Sequence, residues 1–285
     1  MKKRTLKTSA ILSALALSAA LLTGCGVNAE AGSDAGSDTG NLIRVGVCAG
    51  PYEDMFKDGI QPQLEAKGYT IKYVDFSDYV QPNNALAENE IDANIFQHST
   101  YLKNFSQEHG LDLTYITEIP TAAMGIFSDK FDSIENIEEG AAVAIPNDDT
   151  NLARALRVLE QTGIITLDPG IDPSQASVKD ISENPKSLTF TEVSAEILPT
   201  VLDSVGVAVI NGNYALSAGL DLADAIYIEA LSEGYYNVIA VRTADADKDF
   251  AKDITAAVHS DEFRSVIEDT SKQYSAFNKP AAYND

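Results

Sequence analysis

Pro146-Asn147-Asp148-Asp149-Thr150-Asn151-Leu152-Ala153-Arg154-Ala155-Leu156 is the stretch whose reading decides the fold. It follows an apolar run, Ala141 to Ile145, that reads as a buried strand. Asp and Thr side chains suited to helix capping come next, and then Leu152, Leu156 and Leu159 at helical spacing. A strand therefore ends, a tight polar turn follows and a helix begins. Backbone N–H groups at such a start favour an anion. Arg154 lies in the first turn or just past it, where a cation works against the helix dipole. Two readings of this arginine stand: it holds the carboxylate of a small molecule, or it is an exposed residue on an ordinary helix.

Working outward, the start of the chain points to export. Met1-Lys2-Lys3-Arg4 with Lys7 is a basic leader, and Ala10 to Leu22 is an apolar run too short for a permanent membrane span. Leu22-Thr23-Gly24-Cys25 resembles a bacterial lipobox, in which the cysteine is acylated. Residues 1–24 are thus expected to be a lipoprotein signal peptide and Cys25 the lipidated first residue, carrying palmitate. Residues 25–41 follow, rich in Gly, Ser, Ala and Asp, with the echo Ala31-Gly32-Ser33-Asp34 and Ala35-Gly36-Ser37-Asp38. Nothing there builds a core, so the segment reads as a flexible tether. As coil it averages about 20–24 Å, and fully stretched roughly 55 Å. The expected location is the extracytoplasmic face of the cell membrane.

With Cys25 lipidated, Cys48 has no partner for a disulfide. It lies in the apolar strand Leu42-Ile43-Arg44-Val45-Gly46-Val47-Cys48 and reads as a small buried hydrophobe, with no activating neighbour in view. Three scattered histidines and one such cysteine make a poor metal set, so no metal or cofactor is expected. The chain carries a net charge of −23. Removing the four basic leader residues leaves 16 Lys and Arg against 43 Asp and Glu, or −27. That body is repelled by nucleic acid and anionic lipid, which excludes a nucleic-acid-binding role.

Residues 42–285 alternate strands and helices, which argues for parallel sheets with helices on both faces, and their length suits two lobes. Ligands in such sheets bind beyond the carboxyl ends of strands. Those corners carry Tyr52; Tyr79; Phe96, His98 and Tyr101; the opening stretch; and Asn211 with Tyr214. Arg154 can grip a carboxylate with two parallel hydrogen bonds, an Asn amide both donates and accepts, and aromatic faces suit an apolar or thioether chain. Taken singly, Tyr79, Phe96 and Tyr101 read equally as core or rim packing, and His98 as a structural histidine.

Asp78-Tyr79-Val80-Gln81-Pro82-Asn83, Ile91-Asp92-Ala93-Asn94-Ile95-Phe96-Gln97-His98 with Tyr101, Pro146-Asn147-Asp148, Thr150 to Leu156, Glu183-Asn184-Pro185-Lys186 and Ala208-Val209-Ile210-Asn211 with Tyr214 occur in that order. Together they resemble the methionine-binding lipoproteins of bacterial ABC importers, the family often called MetQ- or NlpA-like. The resemblance implies an α/β, two-lobed periplasmic-binding-protein type II fold with ligand in the inter-lobe cleft. Lobe one would comprise 42–124 plus 235–285 and lobe two 125–234, with crossings near Ala122–Phe127 and Gly234–Val238. Tyr79, Phe96, His98 and Tyr101 match positions that wrap the methionine side chain. Arg154, Asn151 and Asn211, with Asn237, match positions that hold the amino-acid head group.

The implied function is capture of L-methionine by a non-enzymatic, monomeric, lipid-anchored solute-binding protein that delivers it to an ABC permease served by a separate ATPase. The chain departs from the family pattern at Asp149, where Pro is common, and at Thr121-Ala122-Ala123-Met124-Gly125, which lacks a frequent Pro. An extra acid beside the head-group corner keeps a second cargo open, a methionine-containing dipeptide or another apolar amino acid. Neither Gly-x-Ser-x-Gly nor a phosphate-binding Gly-x-x-x-x-Gly-Lys is present, which weighs against a hydrolase and against a built-in ATPase. A surface adhesin or signalling subunit built on the same cleft stays open. Replacing the acylated thiol, Cys25→Ser, is expected to move the protein from membranes to the soluble fraction. Retention on membranes at both low and high salt would contradict the anchor.

Overall fold

The computed structural model describes residues 41–283. The expected signal peptide, the expected lipidation site Cys25 and the expected tether up to residue 40 lie outside the described residues. Strand β1 (Leu42–Cys48) leads through helices α1 (Tyr52–Gly59) and α2 (Gln61–Ala66) to β2 (Thr70–Phe76), α3 (Gln81–Ala87), β3 (Ala93–His98), α4 (Ser99–His109) and β4 (Leu113–Ile119). The chain then crosses to β5 (Gly125–Phe127), β6 (Ala142–Pro146), α5 (Asp149–Gln161), β7 (Thr166–Leu167), β8 (Ile181–Glu183) and β9 (Thr189–Val193). After β10 (Val207–Ile210), α6 (Gly212–Ser217) and β11 (Tyr227–Ile228) it returns to β12 (Asn237–Arg242), and α7 (Asp249–Val258) and α8 (Asp261–Glu268) close the fold.

Two five-stranded sheets result, ordered β2-β1-β3-β12-β4 and β11-β5-β10-β6-β9. The first takes strands from 42–119 and borrows β12 from after the second, so the chain crosses twice, at 120–124 and 229–236. The sheets are mixed where parallel ones were expected. β12 runs antiparallel to both β3 and β4, and β5 antiparallel to β10 and β11. The reversal follows from the crossings, because a strand entering a sheet from the other lobe is not delivered by a strand–helix–strand unit.

Local chemistry sets the element ends. Pro62 lies at the start of α2, where its missing N–H costs nothing, and so separates α2 from α1. Gly110 takes the left-handed conformation that stops α4 (φ 65°). Ser260 accepts a hydrogen bond from the Phe263 N–H and starts α8. Ala195–Val201 is a 3-10 segment with Pro199 inside it. The small β7–β8 pair was not foreseen: its strands are too short to show a period.

Apolar faces bury against each sheet. Phe56, Leu64, Ile254 and Phe263 cover one face of the first sheet, and Leu86, Ile91 and Leu102 the other. Leu152, Leu156 and Leu159 of α5 pack on Val143, Ile145 and Val209 of the second. A further cluster draws on both sheets, joining Cys48, Tyr79, Phe96 and Tyr101 to Ala208, Ile210 and Tyr214. This is where the two halves meet over the strand ends. Cys48 is buried there with its thiol pushed up by burial, as inert packing requires.

Candidate functional site

One cavity opens where β3, the start of α4, α5, β10 and the two crossings converge. Its lining includes all eight residues singled out from the sequence: Tyr79, Phe96, His98, Tyr101, Asn151, Arg154, Asn211 and Asn237. Tyr52, Gln97 and Asn213 line it as well. Counted to the atom surfaces and including its mouth, the space is about 320 Å³.

The aromatic wall is a packed set. Tyr79 stacks on Phe96 at 5.6 Å and on Tyr214 at 4.9 Å, and Tyr101 meets both Tyr79 and Phe96 edge-on. The Tyr79 hydroxyl donates to Asn213 Oδ1 (2.7 Å), while Asn213 Nδ2 donates to the Ala49 carbonyl (2.9 Å). Asn104 Nδ2 donates to Thr150 Oγ1 (3.1 Å). The first two bonds run between strand-end corners of the two sheets and the third joins α4 to α5, so the cleft is closed by the protein's own contacts. The phenols of Tyr79, Tyr101 and Tyr214 are pushed up by burial and are neutral.

The polar end is a directed chain of amides. Asp148 caps α5, accepting from the Asn151 N–H (2.9 Å) and from Asn151 Nδ2 (3.0 Å). Asn151 Oδ1 therefore faces away from Asp148, where it accepts from Asn211 Nδ2 (2.9 Å) and meets His98 Nε2 at 3.4 Å. His98 Nδ1 accepts from the Tyr101 N–H (3.1 Å), so the ring is neutral with its proton on Nε2. Both ends of the Asn151 amide are thus used by the protein, and Asn151 positions its neighbours. Asn211 Oδ1, by contrast, is buried with no hydrogen-bond partner among the described residues. Asn237 Nδ2 donates to the Phe96 carbonyl (3.0 Å).

Arg154 lies in the second turn of α5, just past the first, and departs from the expectation in two respects. The Asn151 N–H that could have met an anion is taken by Asp148. The two parallel hydrogen bonds expected for a ligand carboxylate go to the protein's own Glu229: Nε to Oε1 at 2.9 Å and Nη2 to Oε2 at 2.6 Å. Arg154 and Glu229 are only 4% and 6% exposed. Burial would lower the guanidinium's affinity for its proton, but the Glu229 charge and hydrogen bonds more than offset that, and the pKa stays raised. Arg154 Nη1 makes no hydrogen bond among the described residues, and the guanidinium lies 5.3 Å from the centre of the Tyr235 ring. Asp149, the residue that departs from the family pattern, is exposed and outside the cavity lining.

Glu229 was missed. It stands two residues after Tyr227 in a stretch with no motif, one acid among 43. Only its tertiary position marks it, and a search for a counter-ion to a buried arginine was the one signal that would have raised it.

A closed, two-lobed α/β body with a polar-and-aromatic cavity over its strand ends is a solute-binding protein of the type II periplasmic fold. The sequence profile of the NlpA lipoprotein family matches residues 43–281, and the chain belongs to that family. It is 36% identical to the D-methionine-binding lipoprotein MetQ of Salmonella typhi over 259 residues, 90% of this chain and 92% of that protein. Among solved structures it is similar to a nutrient-binding protein from Burkholderia cenocepacia bound to methionine, with 39% identity, TM-score 0.77, and 82% and 97% of the two chains covered. A periplasmic substrate-binding protein of an ABC transporter from Coxiella burnetii matches at 35% identity and TM-score 0.77, over 84% of this chain and all of that one.

Burial, and then the Arg154 charge, hold the His98 imidazole well below 6.5. A histidine kept neutral in the fold contributes stability that is fully present above its unfolded pKa, about 6.5, and is lost as the pH falls below it. His98→Gln is therefore expected to flatten the loss of unfolding free energy between pH 7.5 and 5.5 in urea titrations. An equal slope in both proteins would contradict a buried neutral ring.

Proposed function

We propose that the cavity binds methionine as a zwitterion and that the protein delivers it to an ABC permease driven by a separate ATPase. The observation that carries this is a pairing of unused groups: Arg154 Nη1, a charged donor, and Asn211 Oδ1, a buried acceptor, belong to one cavity with an aromatic wall. A donor suits the carboxylate, an acceptor suits the ammonium, and the rings of Tyr79, Phe96 and Tyr101 suit a thioether. His98 and Asn151 orient the Asn211 amide, and Asn237 holds the Phe96 carbonyl. The name of the Salmonella relative and the methionine held by the Burkholderia protein support the same cargo.

Asp149 is exposed and outside the cavity lining, which takes away the feature that favoured a dipeptide. The role is binding rather than catalysis, and the protein acts as a monomer held at the extracytoplasmic face by lipid on Cys25. Among the described residues no helix is long and apolar enough to cross a membrane. Closure brings the two lobes' contacts to one ligand, and the closed shape is what the permease reads.

Calorimetry on ligand-stripped protein is expected to show saturable binding of L-methionine, with the D enantiomer run alongside because the Salmonella relative carries that name. Asn211→Ala is expected to weaken binding by about 1–3 kcal/mol, the range for a lost buried hydrogen bond. Unchanged affinity in that variant would contradict the assigned ammonium site.

A further inference from the structure

Glu229 does two things at once. Its carboxylate takes two of the three nitrogens of Arg154, and Oε2 also accepts from the Met124 N–H at 3.0 Å. The Glu229 N–H donates in turn to the Met124 carbonyl at 3.0 Å. Met124 ends the first crossing between the lobes and Glu229 begins the second. The acid is thus held by backbone from both crossings and has little freedom to leave the guanidinium.

The electrostatic consequence concerns the whole cavity. The Arg154 charge is cancelled within the protein, His98 is neutral, and the remaining lining is aromatic, amide or, at Ala122 and Gly212, small and uncharged. Asp148 stands behind Asn151 and does not line the space. A cavity of no net charge pays the least desolvation imbalance for a ligand that is itself neutral overall. An anion that kept the carboxylate and lacked the ammonium would bring an uncompensated charge beside Glu229, and a cation that lacked the carboxylate would leave Arg154 Nη1 unmet.

We infer that Glu229 is a specificity-determining residue: by neutralising Arg154 it sets the cavity to accept amino-acid zwitterions and to reject 2-oxo acids and amino alcohols with the same side chain. The inference rests on the proposed cargo. Its mechanism is distinct from holding the fold together, because it predicts a change in the sign of charge preferred.

The test compares three probes of one side chain by calorimetry: L-methionine, its 2-oxo acid (net −1) and L-methioninol (net +1). In the unaltered protein both altered probes are expected to bind at least about 100-fold more weakly than methionine, as for a site that must leave a buried charge unpaired. In Glu229→Gln, which keeps size and an acceptor oxygen, the 2-oxo acid is expected to gain at least about tenfold on methioninol. Equal weakening of all three probes in Glu229→Gln would reduce Glu229 to a structural role and overturn the inference. Should that variant fail to fold, the unaltered protein decides: 2-oxo acid binding within tenfold of methionine overturns the inference, and rejection of both altered probes supports it. Failure of methionine itself to bind would count against the proposed cargo instead, and leucine, its 2-oxo acid and leucinol would then put the same question to Glu229.

Discussion

A buried guanidinium–carboxylate pair is the constraint around which this molecule is arranged. Taking Arg154 and Glu229 out of water costs several kcal/mol for each ion, and their attraction repays this only with near-ideal geometry. The two parallel hydrogen bonds supply that geometry. They require α5 to present its second turn to the crossing at 229, and the crossing to be pinned by Met124. Position in the second lobe, path of the chain between lobes and polarity of the cavity are therefore coupled through one contact.

The remaining polar groups read as a consequence. With Nε and Nη2 occupied, a single guanidinium nitrogen is left for a ligand, so the head group needs further partners. The relay from Asp148 through Asn151 to Asn211 provides one by fixing which way each amide points, ending on the unused Oδ1. Each amide in the relay is oriented by the one before it. The aromatic wall is fixed by different means, ring against ring, and is tied across the cleft through Asn213. One end of the cavity is thus set by directional bonds and the other by shape.

Much of this was legible in the sequence, for a definite reason. Strands such as Leu42–Cys48 and Ala142–Pro146 are short apolar runs followed by polar turns, and α5 announces itself through a cap and three leucines. The strand-end corners then bring Tyr79, Phe96, His98, Tyr101, Asn151, Arg154 and Asn211 to one place, because sheets of this kind gather their corners. The antiparallel entry of β12 and β5 was not legible, since strand direction leaves no mark on composition. Nor was the identity of the arginine's partner, 75 residues away, which only packing reveals. Neither local reading of Arg154, a grip held open for a ligand or an exposed residue, describes it fully: it is buried, and two of its three nitrogens close on the protein.

The most direct measurement is a crystal structure with L-selenomethionine, whose selenium is located by anomalous scattering. Selenium is expected against the rings of Tyr79, Phe96 and Tyr101, with the carboxylate on Arg154 Nη1, the ammonium on Asn211 Oδ1, and the Arg154–Glu229 pair intact. Selenium in the shallow depression beside Tyr115 and His259, or a carboxylate that displaces Glu229 from the arginine, would contradict it.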